Sequence, residues 1–441
     1  MAESKSRDRE RLRLTGLIGV HIVVCCLSLI QLANFRFPNA FNPAVYHIFF
    51  DPAQLPVAVL AVAAFSLVSL LFVFARFSFG YFAGFYFFTM ILGYLWLNCF
   101  SDLHYDHRLA GLSAGASALA LFLPALFITA PLRRIFELSA TTFDALLLGI
   151  LALGIATMAI GAAYNFRLAS LADISELRDK IDQPALLRYL IPITSSALLP
   201  FGFAGFAARR AYWRAGAVLV VLLLSYPITL SKLSLFTPAW LVAILLLSKF
   251  FEARTAVILS LLAPIAAGIV LASAFQEKAA RYSSIVNFRM VAIPSTAMDI
   301  YNDYFSKHDV THFCQLSFLE HRSFCPNQER LSIVMKRTYD LGNFNASLFT
   351  TEGIASVGLL WAPLSAFVCG LVIALGNRLS AGLPAGFILV SGSIVAKVLL
   401  DVPLATVLQT HGAGLLFLLW YITPRGIFEP ASVAPPAAPA T

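Results

Sequence analysis

The chain has 441 residues, of which 59% are hydrophobic and only 12% charged, with a formal net charge of +8. A soluble domain carries about twice that share of charge, so a fold that covers itself in water is excluded. The positive excess does not point to nucleic acid, because most basic residues stand at the ends of apolar runs, where membrane topology accounts for them.

Met1 to Arg13 alternates in charge sign and reads as a cytoplasmic N-terminal segment. The apolar stretch after it lacks a small-residue cleavage site, so an uncleaved first helix is expected. Apolar runs then predict helices over Leu14–Leu32, Leu55–Phe74, Tyr81–Phe100, Leu109–Ala130, Phe143–Ala163 and Leu187–Ala207. Six more follow over Gly216–Leu230, Ser234–Phe251, Thr255–Phe275, Ile354–Asn377, Pro384–Val402 and Leu404–Ile422. Several reach the roughly 20 residues that a hydrocarbon slab about 30 Å thick requires. A spanning barrel would instead alternate in polarity over segments of about ten residues, a pattern the chain lacks.

The expected fold is an all-α polytopic transmembrane bundle of about twelve helices with one large periplasmic loop. Residues 14–275 hold helices one to nine, 276–353 the loop, 354–422 helices ten to twelve, and 423–441 a cytoplasmic tail, Ala- and Pro-rich from Glu429 and read as disordered. A cytoplasmic N-terminus puts Arg76, Arg133, Arg134, Arg209, Arg210, Arg214, Lys249, Arg254, Arg378 and Arg425 on the cytoplasmic side, as the positive-inside rule demands. Both termini are then cytoplasmic.

Two connections on the far side exceed a turn, Tyr164–Leu186 and Gln276–Gly353. The second is expected to be the working surface, since so long a loop normally carries folded elements and a task. Within it, Ser295–Phe305 has apolar residues at helical spacing and predicts an amphipathic helix against the membrane face. Cys314 and Cys325, in the same loop and on the oxidising side, predict a disulfide, whereas Cys25, Cys26, Cys99 and Cys369 lie in helices and read as small apolar packers. His312 and His321 stand near the loop cysteines, but their spacing fits no common zinc pattern, and no metal or cofactor is implied.

Among charged residues, Lys232 lies between two apolar runs and must snorkel, pair or line a wet cavity. Arg281 and Arg289 fall about two turns apart on nearly one helix face, an arrangement suited to a diphosphate, although a contact with lipid headgroups explains them as well. The smaller loop alternates Asp173, Glu176, Arg178, Asp179, Lys180 and Asp182, the signature of a solvated helix laced by weak pairs. Lys397 and Asp401, four apart in an apolar run, are expected to neutralise each other, with a transporter's proton relay as the competing account. His411 reads either as a base or as a hydrogen-bonded packing residue. Motifs for nucleotide hydrolysis, nucleotide-sugar transfer and metalloproteolysis are absent. The first outer loop holds one acid, Asp51, which speaks against glycosyltransferases that use acidic residues there.

Four segments carry a resemblance. They are Ala172-Asp-Ile-Ser-Glu-Leu-Arg178, with serine at 175 where a tyrosine is the family's habit; Leu230-Ser-Lys232-Leu-Ser-Leu-Phe236; the arginine-led stretch from Arg281 to Tyr304; and Asn345-Ala-Ser-Leu-Phe onward to Gly358. Together, over about Tyr81 to Tyr421, the chain resembles the bacterial oligosaccharide repeat-unit polymerases, the Wzy-type O-antigen and exopolysaccharide polymerases. The resemblance implies an inner-membrane glycosyltransferase that joins undecaprenyl-diphosphate-linked oligosaccharide units on the periplasmic face, working beside a flippase and a chain-length regulator. On that reading Arg281, Arg289 and Lys232 hold the departing diphosphate, with Arg178 and Arg337 as further contacts. Glu352, Asp173 and His411 are alternatives for the base that takes the acceptor proton. An O-antigen ligase shares donor and topology; a polysaccharide or lipid transporter and a non-catalytic scaffold are the rivals from other classes.

Overall fold

Apolar runs become helices because a backbone in hydrocarbon must satisfy its own hydrogen bonds. The structure, a computed structural model, describes residues 2–34, 42–168, 181, 183–275, 280–316, 329–341, 344 and 346–428. Among the described residues there is no strand, and ten helices are long and apolar enough to cross a membrane. They are α1 (Asp8–Asn34), α2 (Pro52–Phe74), α3 (Phe79–Asn98), α4 (His107–Phe127), α5 (Ala140–Tyr164), α6 (Ala185–Ala208), α7 (Tyr212–Thr229), α8 (Lys232–Phe250), α9 (Ala253–Phe275) and α13 (Phe349–Ser380). Between α9 and α13 come α10 (Ala280–Ile285), α11 (Ile293–Phe305) and α12 (Leu331–Tyr339). The chain closes with α14 (Ala385–Val398), α15 (Leu404–Gln409) and α16 (Ala413–Ile422). Leu60, Leu112, Val270 and Leu360 are exposed, an apolar surface that belongs in lipid. The protein is an all-α, multi-pass membrane protein.

Two departures from the sequence reading have local causes. The helix that contains the α1 span begins at Ala2, well before Leu14, and its polar turns are held by Glu10 to Arg254 and by Arg13 to Thr255 at 3.1 Å. The last two runs do not make full-length helices. α14 stops at Val398, in keeping with the bias of Pro403 against a helical residue before it, and the return run breaks at His411–Gly412, where Gly412 has φ 76°.

α3 is the hub. Every residue from Phe79 to Leu97 is buried, so it touches neighbours on all sides and carries polar groups that a lipid-facing helix would avoid. Thr89 meets His21 of α1 at 2.8 Å, Tyr86 meets Ser260 of α9 at 2.8 Å, and Asn302 of α11 donates to Tyr94 at 2.8 Å. Gly80 lets the backbone of α4 come so close that a Cβ would strike the Ala125 carbonyl.

One end of the bundle gathers the basic residues. Arg378 donates to the Ala130 carbonyl at 3.1 Å, Arg209 pairs with Asp144 at 2.8 Å, and Arg254 reaches the Ala75 carbonyl at 3.3 Å. At the opposite end the segment after α9 returns into the bundle. Ser283, Asn287, Ser295, Asp299 and Asp303 fall at multiples of four residues, interrupted by Val291, a polar stripe that a membrane-face helix would not need. Asn287 donates to Ser28 and to the Ile265 carbonyl, both at 2.9 Å, and Ser295 donates to the Met90 carbonyl at 3.0 Å. The predicted amphipathic helix therefore exists as α11 but is covered on every face from Pro294 to Tyr304.

Candidate functional site

Gly358 sets the site. Its φ of 73° and ψ of 173° interrupt α13, and the first turns fold back so that a Cβ on Gly353 would lie 3.4 Å from that of Ala362. A side chain at Gly358 would be strained in this conformation. Folding back carries Glu352 beside the body of α13, where Ser365 donates to the Glu352 carbonyl at 2.7 Å. Ser365 stands about 20 Å of helix rise from Arg378 at the basic end, well within a slab about 30 Å thick. Glu352 is thus an ionisable group at membrane depth, only 5% exposed. Such residues are expensive and are the default candidates for function.

The Glu352 carboxylate accepts from the Ala405 N–H at 3.1 Å and from the Thr351 hydroxyl at 2.8 Å. It lines a cavity of about 520 Å³ between α13 and α15, a volume in the range of ligand sites. The wall is one stripe of α13, Trp361, Leu364, Ser365, Val368, Cys369 and Val372, facing Leu404, Ala405 and Leu408 of α15. From Trp361 to Val372 that stripe runs about 16 Å. Trp361 is 64% exposed and Leu364 and Val368 are also open, so the groove faces hydrocarbon laterally. Among the described residues Glu352 is the only carboxylate in the lining.

A strap after α11, residues 311–316, roofs the groove with Phe313 and Leu316. The fold-back at Gly358 leaves carbonyls without helical partners, and the strap supplies them. Thr311 N–H donates to the Ala355 carbonyl at 2.7 Å, His312 N–H to that of Ser356 at 3.1 Å, and the Gln315 amide to that of Thr351 at 2.6 Å. His312 and Phe313 both take the left-handed conformation, φ 49° and 63°, each at a cost of about 1–2 kcal/mol that these bonds offset. Cys314 within the strap is disulfide-bonded; the described Cys25, Cys26, Cys99 and Cys369 are free, and Cys325 lies outside the described residues.

A second polar cluster, which the sequence reading missed, lies at the loop end of the bundle. Asp299 accepts from Ser101 at 2.8 Å and from the Tyr105 hydroxyl. Asp303, one turn on, accepts from Lys307 at 2.6 Å, Tyr339 at 2.7 Å and the His104 N–H at 3.0 Å. These bonds tie α11 to the α3–α4 connection and to α12. The signal was present as two acids four apart within the polar stripe of α11.

Burial pushes the Asp299 carboxyl up to about 6, against the opposing bonds from Tyr105 and Ser101. Between its ordinary value of 3.8 and about 6 the folded state binds the proton more tightly than the unfolded chain. Its contribution therefore weakens as pH rises through that window. Asp303 behaves oppositely. Burial raises it, but Lys307, Tyr339 and the His104 N–H outweigh burial and hold it below its ordinary value, so its contribution fades only in stronger acid. Asp299→Asn is expected to flatten the stability profile between pH 4 and about 6, read by thermal unfolding of the purified protein. An unchanged slope would show that Asp299 does not titrate there.

The sequence-predicted residues do not gather in this groove, apart from Glu352. Lys232 is half-buried at the start of α8, which packs on α7, α9 and α14. Arg289 is exposed on the π-turn Phe288–Ala292, which packs on α1, α3, α10 and α11, beside Tyr46, whose ring meets Phe288 at 4.8 Å. Arg281 lies on α10. Arg337 on α12 is exposed and pairs with Glu329 at 3.1 Å. His411 sits at the break between α15 and α16, within 3.1 Å of the Thr410 hydroxyl. Lys397 and Asp401 do pair, at 2.6 Å. Asp173 and Arg178 lie outside the described residues. No group of three or more potential metal ligands occurs among the described residues. Comparison with protein-family models, with curated proteins and with solved structures found no match.

Proposed function

We propose that the protein is an inner-membrane glycosyltransferase that joins oligosaccharide units carried on a polyprenyl diphosphate, acting at the face opposite the basic end. The observation that carries this reading is the lateral groove ending on Glu352, an apolar track for one long chain with an acid at its head. Few substrates other than a lipid-linked polar molecule call for both.

In the step proposed, the acceptor hydroxyl oxygen bonds to the anomeric carbon of the donor unit. The bond from that carbon to the diphosphate breaks, the lipid diphosphate departs with the electron pair, and the hydroxyl proton passes to Glu352. Charge grows on the departing diphosphate, and a fixed cation there is worth about 3 kcal/mol by analogy with an oxyanion hole. Arg281, Arg289 and Lys232 remain the cations proposed for it; because they stand on different elements and none of them is in the described lining of the groove, each is tested separately for its effect on transfer.

The test is extension of a synthetic polyprenyl-diphosphate oligosaccharide by the reconstituted protein. Turnover is expected, undiminished by chelator, since a guanidinium or ammonium replaces the metal clamp. Absence of turnover with either a saccharide or a lipid A core acceptor would remove the enzymatic reading.

A further inference from the structure

At the loop end of the bundle, away from the groove, His107 faces two acceptors at once. The Asn98 amide is fixed in orientation, because its Nδ2 donates to the His107 carbonyl at 3.0 Å. Its Oδ1 therefore faces the Tyr105 hydroxyl and His107 Nδ1, each at 2.9 Å. The other ring nitrogen, Nε2, lies 3.0 Å from the Leu103 carbonyl. Amide and carbonyl oxygens only accept, so both nitrogens of His107 have to donate, which a neutral imidazole cannot do. We propose that a protonated His107 and Asp299 form a pH-sensitive clasp that holds α11 on the α3–α4 connection and loosens when the two groups lose their last proton.

The counter-charge is Asp299, 1% exposed and reached through Tyr105. The Tyr105 ring lies 4.1 Å from that of His107 while its hydroxyl bonds Asp299, so one residue touches both. That hydroxyl has one proton and two acceptors, Asp299 Oδ1 and Asn98 Oδ1. With Asp299 protonated every contact is met, Asp299 donating to Tyr105 and Tyr105 to Asn98. When this first proton leaves, the Tyr105 hydroxyl turns to the carboxylate, and Asn98 still accepts from His107. Loss of the second differs in kind: a nitrogen lone pair then faces an oxygen, and Asp299 is left ionised and buried beside a neutral ring. The contribution of His107 is accordingly present in acid and disappears as pH rises through its deprotonation. Neighbouring charges have partners of their own, His47 with Asp102 at 2.8 Å, Asp303 with Lys307 at 2.6 Å and Tyr339 at 2.7 Å, and Asp106 with the N–H groups of Arg108 and Leu109. Tyr94, whose hydroxyl is 3.4 Å from that of Tyr105, Cys99, and the exposed His104 and Arg108 complete the titratable surroundings among the described residues.

The experiment uses the full-length protein in liposomes. Solid-state NMR on isotopically labelled histidine separates a ring with two N–H groups from one with a lone pair, and His107→Gln identifies the signal. Two N–H groups are expected on His107 at about pH 6 and one at about pH 9. Amide exchange of α11, corrected for the intrinsic pH dependence of exchange, is expected to show about tenfold less protection at the higher pH. His107→Arg, charged throughout, is expected to remove that difference, and His47→Asn to leave it in place. A single N–H on His107 at the lower pH, equal protection of wild-type α11 at both values, an arginine variant that still responds, or loss of the response in His47→Asn each overturns the clasp.

Discussion

Glu352→Gln is expected to slow glycan transfer by about 10²–10⁴-fold, the usual worth of a positioned general base, with little change in the donor KM. The substitution isolates proton transfer from architecture. A glutamine carbonyl still accepts from the Ala405 N–H, and its amide can serve the Thr351 hydroxyl, which is able to accept as well as donate, so the fold-back at Gly358 and the start of α15 stay satisfied. The amide cannot take up the acceptor proton. Glu352→Ala would not make the same point, because it leaves a buried N–H without its partner and disturbs α15 as well. The rate is measured at saturating donor in the reconstituted extension assay. A glutamine variant that turns over at the wild-type rate would reduce Glu352 to a cap for α15 and move the search for a base to the loop end.

The spans were legible in the sequence because hydropathy and length are local properties. Two kinds of information were not local. The lengths of α14 and α16 depended on Pro403 and on the left-handed Gly412, which only a three-dimensional turn turns into stops. The face of α11 depended on partners far away in sequence. Read alone, its acids and serines suggest a wet surface; packed, they become bonds to Met90, Ser101, His104 and Tyr105.

The candidate site was legible only in part for a related reason. Glu352 was one of three alternatives for the base, beside Asp173 and His411, and the sequence did not choose among them. Its neighbours on the groove come from a reversal at Gly358 and from a strap some forty residues earlier, and no spacing rule connects Phe313 to Trp361. Arg281 and Arg289 were joined in the reading by helical spacing alone. The π-turn at Phe288–Ala292 and the packing of that segment on α1 and α3 decide instead where Arg289 points, which is outward beside Tyr46.

The largest effect on stability is expected at the basic end, from Arg425→Met. Its guanidinium donates to the carbonyls of Trp420, Tyr421 and Thr423 at the end of α16 and to those of Leu379 and Ala381 at the end of α13. One planar fork therefore closes two helix C-termini at once, where the unsatisfied carbonyls and the dipoles both favour a cation. Burial, then the neighbouring Arg134, lowers the group to about 10, still charged at neutral pH. Methionine fills similar volume but supplies no donor, so several buried carbonyls lose their partners at about 1–3 kcal/mol each. Relaxation and water recover part of this, leaving a loss of roughly 3–5 kcal/mol, the range found when one side of a buried charged contact is removed. Arg425→Lys is expected to restore only a fraction, since three donors at one point cannot reach carbonyls on two helices. Thermal unfolding in detergent measures both variants, and a methionine variant that unfolds at the wild-type temperature would mean that α13 and α16 are held together elsewhere, through the packing of Phe417 on Gly376.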